Sequence, residues 1–207
     1  MSIAIIDYRA GNLTSVQRAI SALGHQSVIS SDFATITQAS RVIFPGVGAA
    51  ATCMQALRES GCDEALRAVV AAGTPLLGIC VGMQLLLEFS EEDGGVPCLG
   101  LIPGRVRRFA PSDPLLKVPH MGWNPIAHND GPLFTKVPPG SAMYFVHSYY
   151  CDPEAEVTVT CTSEHGTRFC AGLAHGSIQA VQFHPEKSGP VGLQLLANFL
   201  GPASTPA

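Results

Sequence analysis

The stretch that most constrains this chain is Thr74–Glu88, TPLLGICVGMQLLLE. Pro75–Ile79 is a short apolar run opened by a proline, which reads as a buried strand. Val81–Glu88 carries good helix formers, Met83, Gln84 and Leu85–Leu87, and reads as a helix. Between them stands Gly78-Ile79-Cys80-Val81-Gly82, a cysteine with a glycine two residues to either side. That is the pattern of a nucleophile elbow, with Cys where Ser is more usual. Its glycines answer a steric need, because Cβ atoms would collide where the strand doubles back into the helix. The thiol would sit at the carboxyl end of a strand, where open α/β sheets place their sites. It would also face a helix amino end, whose partial positive charge favours thiolate. The plainer reading is a buried, inert cysteine. A given Cys is flanked this way by chance about one time in 200, so the motif needs company before it decides anything.

The surrounding pattern supplies context. Ile3–Ile6, Ser27–Ile29 and Val42–Phe44 read as strands, and Leu13–Leu23, Asp32–Gln38, Ala49–Glu59 and Asp63–Ala72 as helices. Such alternation predicts a mostly parallel, flavodoxin-like sheet with helices on both faces. From about Gly94 the texture changes to short β-rich runs: Arg105–Phe109, Ala142–Val146, Val157–Cys161, Arg168–Leu173 and Ile178–Phe183. These predict added antiparallel strands in the C-terminal half. Gly189–Leu200 closes the chain as an amphipathic helix. One domain over 1–200 is expected, with 201–207 a tail that nothing holds in order.

Composition narrows the function classes. Twelve basic residues stand against sixteen acidic ones, a net charge of −4, so nucleic acid is a poor partner. Charged residues make up only 14% of the chain, which suggests that a partner covers some of the surface, though a large core alone would account for it. No run has the length of a membrane span, and the start lacks the features of a signal peptide. The seven cysteines are scattered, without metal spacing, so no metal or cofactor is expected and a reduced, cytoplasmic setting is the simplest account.

A nucleophilic cysteine needs a base, and the base an orienting group. Of seven histidines, His184 ends the apolar run Ile178–Phe183 and is followed by Pro185 and Glu186. In an extended segment residues i and i+2 share a face, so Glu186 can bind one imidazole nitrogen and leave the other for the thiol. The alternative is a surface His-Pro-Glu turn. For the oxyanion, the elbow geometry offers the Val81 N–H, and Pro45-Gly46-Val47-Gly48 could bring a second.

Together, Gly78–Gln84 (GICVGMQ), Pro45–Gly48 (PGVG) and Gln182–Lys187 (QFHPEK) resemble the three signatures of the class I, triad-type glutamine amidotransferases. Ile5–Asn12, Pro103–Arg108, Val118–Asn124, Phe145–Tyr150 and Phe183–Gly192 narrow the resemblance to the subunits of that family that serve histidine biosynthesis. The resemblance implies that Cys80 attacks the side-chain amide of L-glutamine, that His184 protonates the leaving ammonia, and that Glu186 holds His184. It implies oxyanion and glutamine contacts on Gly46, Val47, Gly48, Val81, Gln84, His147, Ser148 and Tyr149. It further implies a heterodimer with HisF, a (β/α)8 cyclase that uses the ammonia to form imidazole glycerol phosphate and AICAR. Interface or gate positions fall on Asn12, Met121, Gly122, Trp123, Asn124, Tyr144 and Lys187. Two departures stand out: Val81 where Leu is common, and Ala49-Ala50-Ala51 where Phe often occurs. Competing readings are another amidotransferase subunit, a stand-alone γ-glutamyl cysteine hydrolase, and a catalytically silent binding subunit on the same fold.

Overall fold

The computed structural model describes residues 2–9 and 13–202, so Asn12 and residues 203–207 of the expected tail lie outside the described part. Strands β1 (Ile3–Ile6), β2 (Ser27–Ser30), β3 (Arg41–Gly46) and β4 (Leu76–Cys80) alternate with helices α1 (Leu13–Ala22), α2 (Phe33–Thr37), α3 (Ala50–Ser60) and α4 (Cys62–Ala71). Asp32 caps α2 by accepting the Thr35 N–H at 2.7 Å. The strands pair in parallel in the order β2–β1–β3–β4. β1 and β4 are buried along their whole length, as strands covered on both faces must be. Helix α1 packs with α6 (Gly189–Leu200), while α4 packs with α2 and α3.

The elbow strand β4 is continued by α5 (Val81–Leu85), which is shorter than the expected helix over Val81–Glu88. A loop explains the early stop. The N–H groups of Leu99, Gly100, Leu101 and Ile102 donate to the carbonyls of Leu85, Leu87 and Leu86. Those carbonyls lack intrahelical partners at a helix end, and here tertiary donors cap them.

The C-terminal half carries β5 (Phe89–Ser90), β6 (Val96–Pro97), β7 (Gly104–Arg108), β8 (His120–Pro125), β9 (Ala127–His128), β10 (Ala142–His147), β11 (Tyr149–Pro153), β12 (Val159–Glu164), β13 (Arg168–His175) and β14 (Ile178–Val181). β14 lies parallel to β4, and β13 then runs antiparallel to β14, so the sheet changes character at that seam. The sheet continues through β11, β7, β5 and β6, with β12 and β9 branching from β13. β8 and β10 form a separate antiparallel ribbon. Two of its bonds tie the ribbon to the sheet edge: His184 N–H donates to Tyr144 O at 2.9 Å, and Tyr144 N–H donates to Ser188 Oγ at 3.0 Å. Among the described residues, no helix is long and apolar enough to cross a membrane.

Candidate active site

Cys80 is the last residue of β4, 3% exposed, at φ 55° and ψ −113°. Positive φ is costly for a residue with a Cβ and persists only where the surroundings enforce it. They do so here by close packing. A Cβ on Gly82 would lie 1.9 Å from the Phe44 carbonyl oxygen, and one on Gly46 would lie 2.5 Å from the Tyr8 hydroxyl and 2.9 Å from Gly82 N. Val81 opens α5, so its N–H belongs to the first turn and has no acceptor within the helix.

Sheet order brings the other groups to the same edge. β3 flanks β4 with Gly46 in register with Cys80, so the Pro45–Gly48 turn leaves the sheet beside the sulfur. On the other side Val181 of β14 is in register with Ile79, and the chain runs on through Gln182 and Phe183 to His184. The strand ends at Val181, and Pro185–Lys187 is a single 3-10 turn rather than extended chain. That turn, not strand alternation, folds Glu186 back, with Oε1 2.8 Å from His184 Nδ1 and both side chains 2% exposed. Burial works against the imidazolium, yet the neighbouring Cys80 thiol and the hydrogen-bonded Glu186 carboxylate outweigh it and raise the His184 pKa to about 10, while His184 Nε2 has no hydrogen-bond partner among the described residues.

The three strand ends border a cleft of about 290 Å³, small for a ligand pocket and suited to a small metabolite. Val47, Gly48, Cys80 and Val81 line it together with His147, Ser148 and Tyr149. Gly46 lies beneath the turn, packed on Gly82. The Cys53 thiol donates to the Val47 carbonyl at 3.6 Å, which sends the Gly48 N–H of the same trans peptide away from Cys53. Gln84 lines the cleft, but its amide nitrogen is taken up by Tyr149 O at 2.9 Å and Gln182 Oε1 at 3.0 Å.

Sequence reasoning missed Glu92, Pro119 and Val146 on this cleft, and Gln182, whose Nε2 donates to the Cys80 sulfur at 3.8 Å. Glu92 sits in an acidic run, Glu91-Glu92-Asp93, that reads as solvated surface. The Ala50 N–H bonds its carboxylate at 2.8 Å, while burial raises its pKa. Gln182 was visible within a motif, but nothing in its spacing assigns it a partner. A larger hollow of about 630 Å³ lies away from these residues, among β11, β12 and β13. Burial pushes the Cys170 thiol there up to about 12, which leaves it a poor nucleophile. Among the described residues, no group of three or more His, Cys, Asp or Glu side chains is placed to hold a metal ion.

Outside the cleft the β8–β10 ribbon presents an apolar face. Met121 is 63% and Trp123 59% exposed. Trp123 meets Tyr144 edge-on at 5.9 Å between centroids, and the Lys187 ammonium lies 5.8 Å from the Tyr144 ring centre. Gly122 stands between Met121 and Trp123, at φ 125°. Asn124 turns inward instead, donating to Glu164 O at 2.7 Å.

A thiol on an elbow, paired with a carboxylate-held imidazole beside a glycine turn, defines a cysteine-dependent acyl-transfer site, and comparison with known proteins specifies it. The sequence matches the glutamine amidotransferase class-I family over residues 4–202, and the chain belongs to that family. It is 50% identical over 198 residues to the imidazole glycerol phosphate synthase subunit HisH of Herpetosiphon aurantiacus, covering 96% of this chain and 93% of that one. It is also 50% identical over 203 residues to the same subunit of Nitrosococcus oceani, covering 96% of each. Within the family its place is therefore among the HisH subunits. A crystal structure of a glutamine amidotransferase matches the fold with a TM-score of 0.74 over 96% of both chains, at 20% identity.

Proposed function

We propose that this amidotransferase subunit hydrolyses L-glutamine through Cys80, His184 and Glu186 and hands the ammonia to HisF. The observation that carries the reading is the meeting of thiol, carboxylate-held imidazole and glycine turn at the ends of three neighbouring strands. The Cys80 sulfur attacks the side-chain amide carbon, and the carbonyl electrons move onto oxygen. The N–H groups of Val81 and the Gly46–Gly48 turn stabilise that oxyanion. His184 gives its proton to the departing nitrogen, which leaves as ammonia, and a glutamyl thioester remains on Cys80. His184, now neutral, takes a proton from water as the water attacks the thioester, and glutamate departs. Glu186 holds the ring through Nδ1 and stabilises the imidazolium. The Glu92 carboxylate at the cleft suits the α-ammonium of an amino acid.

HisF, the cyclase that forms imidazole glycerol phosphate and AICAR in histidine biosynthesis, is the partner in this reading, and the cytoplasm is its setting. Free hydrolysis wastes glutamine, so an oxyanion turn that the partner aligns would confine turnover to the complex. The expected result is low glutaminase turnover in the isolated chain and a large rise when HisF and its nucleotide ligand are added. High turnover that the partner leaves unchanged would argue against it. Met121, Trp123, Tyr144 and Lys187 are the proposed docking residues, with Asn12. An exposed indole is the kind of anchor that dominates interfaces. Trp123→Ala should weaken the complex by about 2 kcal/mol or more, read by calorimetry, while leaving the Tm of the free chain within about a degree. Unchanged affinity would place the partner elsewhere.

A further inference from the structure

A chain of hydrogen bonds, exposed at the ribbon and buried at the sulfur, runs from Asn124 to Cys80, and its direction follows from one atom. The Tyr149 carbonyl can only accept, and two donors meet on it: His147 Nδ1 at 2.8 Å and Gln84 Nε2 at 2.9 Å. On the inner arm, Gln84 Nε2 also donates to Gln182 Oε1, which leaves the Gln182 amide nitrogen facing Cys80 Sγ. A flipped Gln182 would set nitrogen against nitrogen, so the carbonyl fixes both amides. On the outer arm, a proton on His147 Nδ1 makes its Nε2 an acceptor. His120 Nδ1, 2.9 Å away, must then carry the hydrogen. His120 Nε2 in turn accepts from Asn124 Nδ2 at 3.1 Å, and the second amide hydrogen of Asn124 goes to Glu164 O. His120 is 5% exposed, His147 6%, Gln84 3% and Gln182 fully buried. Burial lowers the pKa of His120 to about 4 and of His147 to about 3, so both rings are neutral, as the chain of donors requires.

We infer that Asn124 and His120 are positioning residues of the glutamine cleft. Asn124 fixes the tautomer of His120, and His120 that of His147. The His147 ring then holds the Tyr149 carbonyl that orients Gln84 and Gln182 at Cys80. The inference rests on the reading of the cleft given above. It also ties the inward face of β8 to the site, while Met121 and Trp123 occupy the outward face of the same strand.

Asn124→Asp is the decisive change, because a carboxylate accepts where the relay needs a donor. At a pH where His120 stays neutral, which the same nitrogen shifts report, its hydrogen must then move to Nε2, His147 must donate through Nε2, and Tyr149 O loses a donor. Nitrogen chemical shifts of 15N-histidine-labelled full chain should show His147 as the Nδ1–H form in the wild type and not in Asn124→Asp. In complex with the partner subunit, kcat/KM for glutamine should fall about tenfold in Asn124→Asp and in His120→Phe, the scale of one lost buried hydrogen bond. His120→Asn, whose amide nitrogen can replace Nδ1–H, should stay within about threefold of wild type. An unmoved His147 tautomer in Asn124→Asp with His120 neutral, unchanged kcat/KM despite a moved one, or equal losses in His120→Asn and His120→Phe would overturn the inference. A wild-type complex that does not hydrolyse glutamine would instead refute the reading of the cleft, and the tautomers would still decide the relay.

Discussion

Gly82→Ala is expected to lower stability by about 3 kcal/mol or more, the upper range for overpacking, and Tm by roughly 6–12 °C for a chain of this size. Local propensity points the other way. Gly82 lies in α5, where alanine would favour the helix by about 1 kcal/mol. Tertiary geometry decides the sign. A Cβ there would stand 1.9 Å from the Phe44 carbonyl oxygen, which belongs to β3 and is held in the sheet against β4. Relief requires moving either the elbow or the strand that carries the oxyanion turn. The variant should therefore lose reactivity at Cys80 together with stability, measured by thermal unfolding and by thiol alkylation of the folded chain. An unchanged or raised Tm would show that the elbow is not packed as described.

Glu186→Gln is expected to leave the fold intact and lower kcat for glutamine hydrolysis by roughly 10⁴-fold, as removal of the orienting carboxylate does in other triads. The amide still reaches His184 Nδ1 but brings no charge, so it no longer favours the imidazolium. The effect has a sign on the pH axis. The His184 pKa is raised to about 10 from an ordinary value of 6.5, so its contribution to stability is complete below about pH 6.5 and is lost as pH rises through 10. The same group sets the alkaline limit of a step that needs a proton on His184. In Glu186→Gln that limit should move to lower pH, and the fall in stability between pH 7 and 10 should become shallower. A full-rate variant with an unmoved alkaline limb would remove Glu186 from the mechanism.

How much of this was legible in the sequence depends on the range of the forces involved. The parallel half was readable because β1 and β4 are apolar runs, β3 holds the apolar run Val42–Phe44, and the helices between them carry caps or periodicity, as at Asp32. Two longer strands escaped. His120–Pro125 holds a glycine and a proline and pairs only with β10, while Tyr149–Pro153 shows no alternation and takes its place from β7 and β13. The early end of α5 is likewise set by donors from Leu99–Ile102, which no local pattern announces. At the site, Cys80 and the Pro45–Gly48 turn were visible because close backbone approach demands their glycines, and His184-Pro185-Glu186 because its base and carboxylate stand two residues apart, although a 3-10 turn rather than extended chain joins them. The roles of Glu92, Gln182 and His120 were not, since each acts through a partner at least 27 residues away in the chain: Ala50, Gln84 and His147 respectively.

In the proposed mechanism Cys80 is the nucleophile of a glutamine site, and His184 and Glu186 activate it as one unit. The most direct measurement is mass-spectrometric mapping after treatment of the full chain, in complex with its partner, with a glutamine-like α-diazoketone. One adduct is expected, on the Cys80 peptide, suppressed by excess glutamine, lost in Cys80→Ala and strongly slowed in His184→Ala. Labelling spread over several of the seven cysteines, or insensitive to glutamine and to His184, would contradict it.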